Sequence, residues 1–357
     1  MSVKHLSPIE EIIKDAKKGK MFILVDDKDR ENEGDLVIPA SKCNSKKINF
    51  MATYGRGLVC LALSKSQVQR LNLPLMSSVN KARMQTAFTV SIEARKGVTT
   101  GISAYDRAKT IRVAIKKNVK RNEIVSPGHV FPLVSRNGGV LERAGHTEAS
   151  VDISRLANLN HSAVICEVMN ENGRMARFND LIKFSKKHKI KIASIEDLIS
   201  YRVKNEKFIS NVEHKTINFK RQQNFLLKIY INKLDKSYHY VIKKGVYNKN
   251  KPIRVRVVSK NILRNKSILK DKLVASSLKY LNNYNNFALI IIKDQKSIKQ
   301  KISEQFKGNN ILRYYGVGAQ IIKDIGIKNM ILVSRSKKKL IGLEGFGIKI
   351  IKQEIIK

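Results

Sequence analysis

Residues 26–35 read Asp-Asp-Lys-Asp-Arg-Glu-Asn-Glu-Gly-Asp, six carboxylates in ten positions, and they follow directly on the apolar run Met21–Val25. Like charges packed this densely repel one another unless something cationic neutralises them. An apolar strand running into them puts the charge at a strand end, where loops carry binding and catalytic groups. If the segment is extended, Glu31, Glu33 and Asp35 share one face, because side chains alternate along a strand. Hard oxygen donors gathered in this way suit Mg2+ or Mn2+. A solvated acidic loop is the other reading of such a run; Gly34 and the strand upstream weigh against it.

Three further segments carry reactive side chains. Arg143-Ala144-Gly145-His146-Thr147-Glu148 follows Gly138-Gly139. Arginine can grip phosphate through two hydrogen bonds, glycine-rich backbone can offer N–H groups to the same anion, and His146 adds an imidazole able to bind metal or move a proton. Ser126-Pro127-Gly128-His129-Val130-Phe131-Pro132 sets another histidine on what reads as a turn stiffened by two prolines. Glu167 stands straight after the strand-like run Ala163–Cys166.

Around these motifs the pattern predicts a helix over 7–19, with Ile9, Ile12, Ile13 and Ala16 on one face and Gly19 as its stop. Strands are expected at Gly57–Leu63, Ala87–Ile92 and Ile190–Ala193, and helices at Ala104–Lys117 and Leu181–His188. Ser194 reads as the cap of a helix ending near Tyr201. From Arg202 to about Lys220 the chain turns polar and irregular, which places a boundary there. Beyond it, apolar runs Phe225–Ile231, Ile253–Val258, Ala288–Ile292 and Met330–Val333 alternate with helical stretches such as Asp271–Leu281 and Gly318–Ile325, the signature of α/β layering.

Composition narrows the partners. No apolar run reaches the ~18 residues of a membrane span, so no membrane partner is expected. Residues 1–20 lack the continuous apolar stretch of a secretory signal. Cys43, Cys60 and Cys166 form no paired spacing, so a reduced, cytoplasmic protein is expected. The net charge is +41, with 35 basic and 20 acidic side chains in residues 1–203 and the larger excess in the remainder. Such an excess could mark a nucleic-acid or nucleotide partner, which stands as the alternative function. The lysines are spread evenly and accompany no aromatic platform, so nucleic acid is not expected.

Arg30-Glu31-Asn32-Glu33-Gly34-Asp35, the run at 99–107, the prolines and histidine at 127–132, the segment 143–149 and Ile165–Arg177 together resemble 3,4-dihydroxy-2-butanone 4-phosphate synthase of riboflavin biosynthesis, over residues 7–202. The resemblance implies an α+β domain, a mixed sheet packed with helices, and a lyase that converts ribulose 5-phosphate to 3,4-dihydroxy-2-butanone 4-phosphate and formate. It implies that Glu31 and His146 hold the metal. Arg30, Glu31, Asp35, Arg143, Ala144, Gly145, His146, Thr147 and Glu167 match substrate-binding positions, and His129 and Glu167 match positions essential for turnover. It further implies a homodimer with its sites at the subunit interface. Cys60 is read as packing, and Asp106 with Arg107 as either lining the sugar site or forming a local ion pair.

The end of the chain resembles GTP cyclohydrolase II, and the expected domains are 1–203 and 212–357. A working cyclohydrolase of that family needs three cysteines for zinc, and this chain has none after Cys166. The family's catalytic loop is unrecognisable in residues 260–310. Arg313 matches a catalytic arginine, while Ile311 stands where the family has Asp, and Gly316, Gly318, Gly342 and Gly345 speak for fold alone. No zinc is expected, and the second domain is read as catalytically inactive, structural or regulatory.

Overall fold

The computed structural model describes residues 5–27, 30–81, 84, 86–219, 223–234, 236–248, 251–260, 268–293, 309–336, 343 and 346–356. The chain divides into two compact units, Met1–Tyr201 and Arg202–Lys357.

In the first unit the strands are β1 (Phe22–Val25), β2 (Gly34–Pro39), β3 (Cys60–Ser64), β4 (Ile92–Ala94), β5 (Ile124–Ser135), β6 (Ser162–Glu167) and β7 (Lys191–Ser194). They form one mixed sheet in the order β4-β5-β3-β6-β2-β1-β7. β1 runs parallel to β7 and β3 to β5, while the other neighbours are antiparallel. β1 is apolar throughout because every residue in it is buried, the pattern of a strand covered on both faces.

The helices are α1 (Ile9–Lys17), α2 (Ser45–Phe50), α3 (Lys65–Leu71), α4 (Ala104–Ala114), α5 (His146–Leu156), α6 (Phe178–His188) and α7 (Ile195–Asn205), which crosses the boundary between the units. Their starts follow the capping chemistry of the sequence. Asn44, Ser64 and Ser103 each accept a first-turn N–H, and Ser194 Oγ accepts from Asp197 N at 3.0 Å. α5 is the central helix, with every residue from His146 to Ser154 buried. It can be buried although polar because its hydroxyls turn back on its own carbonyls, Ser150 Oγ to Thr147 O and Ser154 Oγ to Ser150 O, and Asp152 accepts from Val140 N. Gly34 opens β2 where Leu181 of α6 presses on the strand, and a Cβ there would lie 2.6 Å from Leu181 Cδ1.

The sequence departs from the structure in two places here. The proline-bearing segment 126–132 lies inside β5 and not on a turn; its prolines withhold only their own N–H groups, and Pro132 O still accepts from Thr89 N at 2.9 Å. The expected strand 87–92 is reduced to isolated bridges at Phe88 and Thr89 before β4.

The second unit contains β8 (Ile209–Phe219), β9 (Gln223–Asn232), β10 (Tyr238–Lys244), β11 (Ile253–Lys260), α8 (Lys272–Leu281), β12 (Phe287–Lys293), α9 (Asn309–Asp324), β13 (Asn329–Ser334) and β14 (Lys349–Ile355). Its sheet runs β14-β13-β11-β12-β10-β9-β8, parallel from β14 to β12 and antiparallel from β12 to β8. The α/β expectation therefore holds, with an antiparallel half added. The polar stretch after Arg202 contains β8, paired with β9 from Ile209 to Phe219. As an edge strand it is solvated along much of its length, which is why it reads as irregular. Asp271 caps α8 by accepting from Leu273 N and Val274 N.

Arg256 lies in the central strand β11 at 4% exposure. Its Nε and Nη1 are buried and have no hydrogen-bond partner among the described residues. Burial and the neighbouring Arg335 charge pull its pKa below the ordinary arginine value. A buried group left unpaired costs about 1–3 kcal/mol. Arg256→Met, which keeps much of the volume, is expected to raise the unfolding midpoint of the second unit, as followed by calorimetry. Among the described residues, no helix is long and apolar enough to cross a membrane.

Candidate metal centre and active site

Asp26, the first residue beyond β1, is 3% exposed and organises the loop that follows. Its Oδ1 accepts from Glu33 N at 2.9 Å. Its Oδ2 accepts from Glu31 N at 3.2 Å and from Arg30 Nη1 at 2.7 Å. The same guanidinium nitrogen donates to Glu31 Oε2 at 2.6 Å, so Arg30 neutralises two of the crowded carboxylates. The chain turns at Asn32, whose φ is 55°. This corrects the extended reading of residues 31–35: only Gly34 onward is strand, and Glu31 reaches the centre from a turn. Glu33 is drawn aside toward Arg177, 3.8 Å away.

Asp35 lies in β2 directly opposite Glu167 of β6. Glu167 Oε2 accepts from Leu58 N at 2.9 Å. His146 opens α5, and its Nδ1 is 3.7 Å from Glu31 Oε2 and 3.8 Å from Asp35 Oδ1. One ligand atom each from Asp26, Glu31 and His146 lie within 4.8 Å of one another. Asp26 joins the two expected ligands; its position at the end of an apolar strand is the signal that would have singled it out from the other five carboxylates.

The electrostatics are those of a cation site. Burial disfavours the charged form of Glu31, but the nearby His146 imidazole and the Arg30 guanidinium outweigh it and hold the carboxyl at about 2. Burial likewise opposes the imidazolium of His146, yet Asp35 and Glu31 together raise it to about 9. Asp35 is pushed up to about 7 by burial, only partly offset by His146, with Glu167, Glu31 and Glu33 adding to the rise. Among the described residues the buried His146 Nε2 has no hydrogen-bond partner, while Nδ1 of the same ring lies beside two carboxylates. That donor set fits a hard divalent cation.

The remaining candidates divide. Arg143 Nη1 donates to the buried Glu148 at 2.7 Å and its Nη2 to Met84 O at 3.0 Å, so the side chain is anchored next to the start of α5. Ala144 is half-buried; Gly145 is the N-cap of α5 and offers no side chain to the first-turn amides of His146 and Thr147. His129, in β5, makes no contact with this cluster among the described residues. Its Nδ1 is instead 2.7 Å from Glu93 Oε2. Register still places it at the same end of the sheet as Glu167. Phe131 pairs with Cys60 and Cys60 with Ile165, and His129 and Glu167 each lie two residues further on. Two strand spacings, roughly 10 Å, separate them.

Asp106 accepts from Thr99 Oγ1 at 2.7 Å and Gly101 N at 3.1 Å; no ion pair with Arg107 occurs among the described residues. Cys60 is 2% exposed and burial pushes its thiol well above the ordinary value, as packing requires. The side chains of Ile311 and Arg313, and residues 342 and 345, lie outside the described residues, as do 261–267 and 294–308; Gly316 and Gly318 fall in α9.

The 3,4-dihydroxy-2-butanone 4-phosphate synthase family matches residues 10–201, and the GTP cyclohydrolase II family matches residues 210–355. A 3,4-dihydroxy-2-butanone 4-phosphate synthase of Photobacterium phosphoreum is 42% identical, over 97% of this chain and 98% of its own. The crystal structure of RibBX, a two-domain 3,4-dihydroxy-2-butanone 4-phosphate synthase from A. baumannii, superposes with a TM-score of 0.82 at 39% identity, covering 98% of this chain and 100% of that one. A 3,4-dihydroxy-2-butanone 4-phosphate synthase solved with two magnesium ions aligns at 36% identity and a TM-score of 0.54, over 56% of this chain and 98% of its own. With the carboxylate–imidazole cluster at the sheet end, these likenesses show that the chain belongs to the 3,4-dihydroxy-2-butanone 4-phosphate synthase family, joined to a GTP cyclohydrolase II-like domain.

Proposed function

We propose that the cluster at the ends of β1, β2 and β6 is where D-ribulose 5-phosphate is converted to 3,4-dihydroxy-2-butanone 4-phosphate and formate. The observation that carries this reading is the gathering of one ligand atom each from Asp26, Glu31 and the buried His146 within 4.8 Å of one another. Glu31 and His146 hold the ion, with Asp26 beside them. A bound Mg2+ or Mn2+ supplies charge stabilisation for the enediolate that forms when the ketose loses a proton.

The other groups bind substrate and move protons. The first-turn amides of α5 take the phosphate, since a helix N-terminus without a side-chain cap offers free N–H groups and a favourable dipole. Arg143 stands beside them, and Arg30 neutralises charge at the rim. Asp35, held at about 7, accepts or returns a proton near neutral pH. Glu167 and His129 serve the later transfers. Ile102 and Tyr105, one and four residues beyond Gly101, are 57% and 67% exposed, and Gly101 lies against His129. An apolar rim of this kind supports a homodimer in which a second copy covers the His129 end of the site. The enzyme acts in the cytoplasm, and nucleic acid is not a partner in this reading. Incubation with ribulose 5-phosphate and Mg2+ is expected to release formate and the four-carbon phosphate in equal amounts; absence of both products defeats the reading.

The second domain is, on the same footing, a structural or regulatory remnant without cyclohydrolase chemistry. All three cysteines lie at or before position 166, so no thiolate set for zinc exists in residues 202–357. The expected result with GTP and Zn2+ is no formate release from the nucleotide, measured against the robust release from ribulose 5-phosphate.

A further inference from the structure

His129 is half-exposed, but the carboxylate against it is not: the side chains are 43% and 11% accessible for His129 and Glu93. Glu93, in β4, is fully engaged. Its Oε1 accepts from Thr110 Oγ1 of α4 at 2.8 Å. The Thr110 hydroxyl itself accepts from Ala94 N at 3.0 Å, so its own hydrogen is left to point at Glu93. Oε2 accepts from the backbone N of His129 at 3.2 Å and meets His129 Nδ1 at 2.7 Å. The space around this contact is closed by Gly101, at φ +92°, where an added Cβ would collide with Glu93 Oε2 and with His129 Nδ1.

From this arrangement we infer that Glu93 is a positioning residue for His129. An ionised carboxylate only accepts hydrogen bonds. Facing one, neutral His129 carries its hydrogen on Nδ1, which leaves the lone pair on Nε2, the nitrogen turned away from Glu93. The tautomer, the ring plane and the direction of the basic nitrogen are thereby all set by one largely buried group. When Nε2 takes up a proton, Glu93 Oε2 still accepts the hydrogen on Nδ1. Thr110 and the His129 amide hold the carboxylate still, so the ring cannot swing. The inference rests on the proposed acid–base role of His129 and adds what makes that role work.

The test uses the full-length protein and two readouts. In 15N NMR of the histidine side chains, with His129 identified among the seven histidines by His129→Ala, the neutral ring is expected in the Nδ1–H form. Glu93→Gln keeps the size and an acceptor oxygen but removes the charge. It is expected to lower kcat by about a hundredfold with KM changed by less than about twofold, the pattern of a misdirected proton-transfer group. Combined with His129→Ala, it is expected to add less than about a twofold loss, because the two act as one unit. A wild-type Nε2–H tautomer overturns the inference, as does unchanged kcat in Glu93→Gln or an undiminished loss on the His129→Ala background. The tautomer and the single variant decide the matter even if the double variant is too slow to measure. Wild-type turnover in His129→Ala would instead remove the role of His129 itself. A normal Glu93→Gln beside a failing His129→Ala would sink only the positioning role.

Discussion

Glu31→Gln and His146→Ala are each expected to lower turnover of ribulose 5-phosphate by roughly a thousandfold at saturating metal. Ion-organised stabilisation of a developing enediolate is worth several kcal/mol, and each ~1.4 kcal/mol is a factor of ten. Glu31→Gln is the cleaner of the two. The amide keeps an oxygen for Arg30 Nη1, now 2.6 Å from the carboxylate, so the loop can stay folded while the charge is lost. His146→Ala removes a side chain packed among Asp35, Glu31 and the first turn of α5, and circular dichroism must accompany its kinetics. Near-wild-type kcat in both folded variants would falsify the assignment of the metal centre.

The second large effect is a pH dependence of metal affinity. Asp35 and Glu31 raise His146 to about 9, so in the metal-free protein the imidazole is protonated at neutral pH. Only the neutral ring can donate its lone pair to a cation. Binding must therefore expel a proton below that value. Apparent affinity is expected to climb about tenfold per pH unit from 7 toward 9, and to flatten above it. The sign is fixed by the direction of the shift: a histidine lowered by burial alone would already be neutral at pH 7, and affinity would be flat there. Calorimetric titration with Mn2+ in two buffers of different ionisation heat counts the proton released, and a count of zero at pH 7.5 removes His146 from the ligand set.

Much of this architecture is legible in the sequence. Met21–Val25 announces β1 because every side chain in it is apolar, and Ser103, Ser194 and Asp271 mark helix starts through chemistry confined to a few residues. Glu31 and His146, 115 positions apart in sequence, are named by motif and brought together by the fold. What the sequence hides is tertiary. Asp26 is marked only by its place directly after an apolar strand, and its part in the centre emerges when the loop wraps back on it. The turn at Asn32 depends on those same hydrogen bonds, so an alternating pattern misreads residues 31–33. Glu93 carries no local sign of its role, since its partners come from α4 and β5. β8 escapes because a solvated edge needs no apolar alternation.

The antiparallel pairing of β2 with β6 has a consequence for how such a chain can change length. Asp35 meets Glu167 only because Pro39 meets Ala163, one ladder rung after another. Adding or losing a single residue inside either strand would turn one carboxylate to the opposite face of the sheet, leaving a folded enzyme with half of its acid pair pointing into the apolar interior. Insertions and deletions are thus confined to the connections between strands, while the rungs themselves admit only substitution.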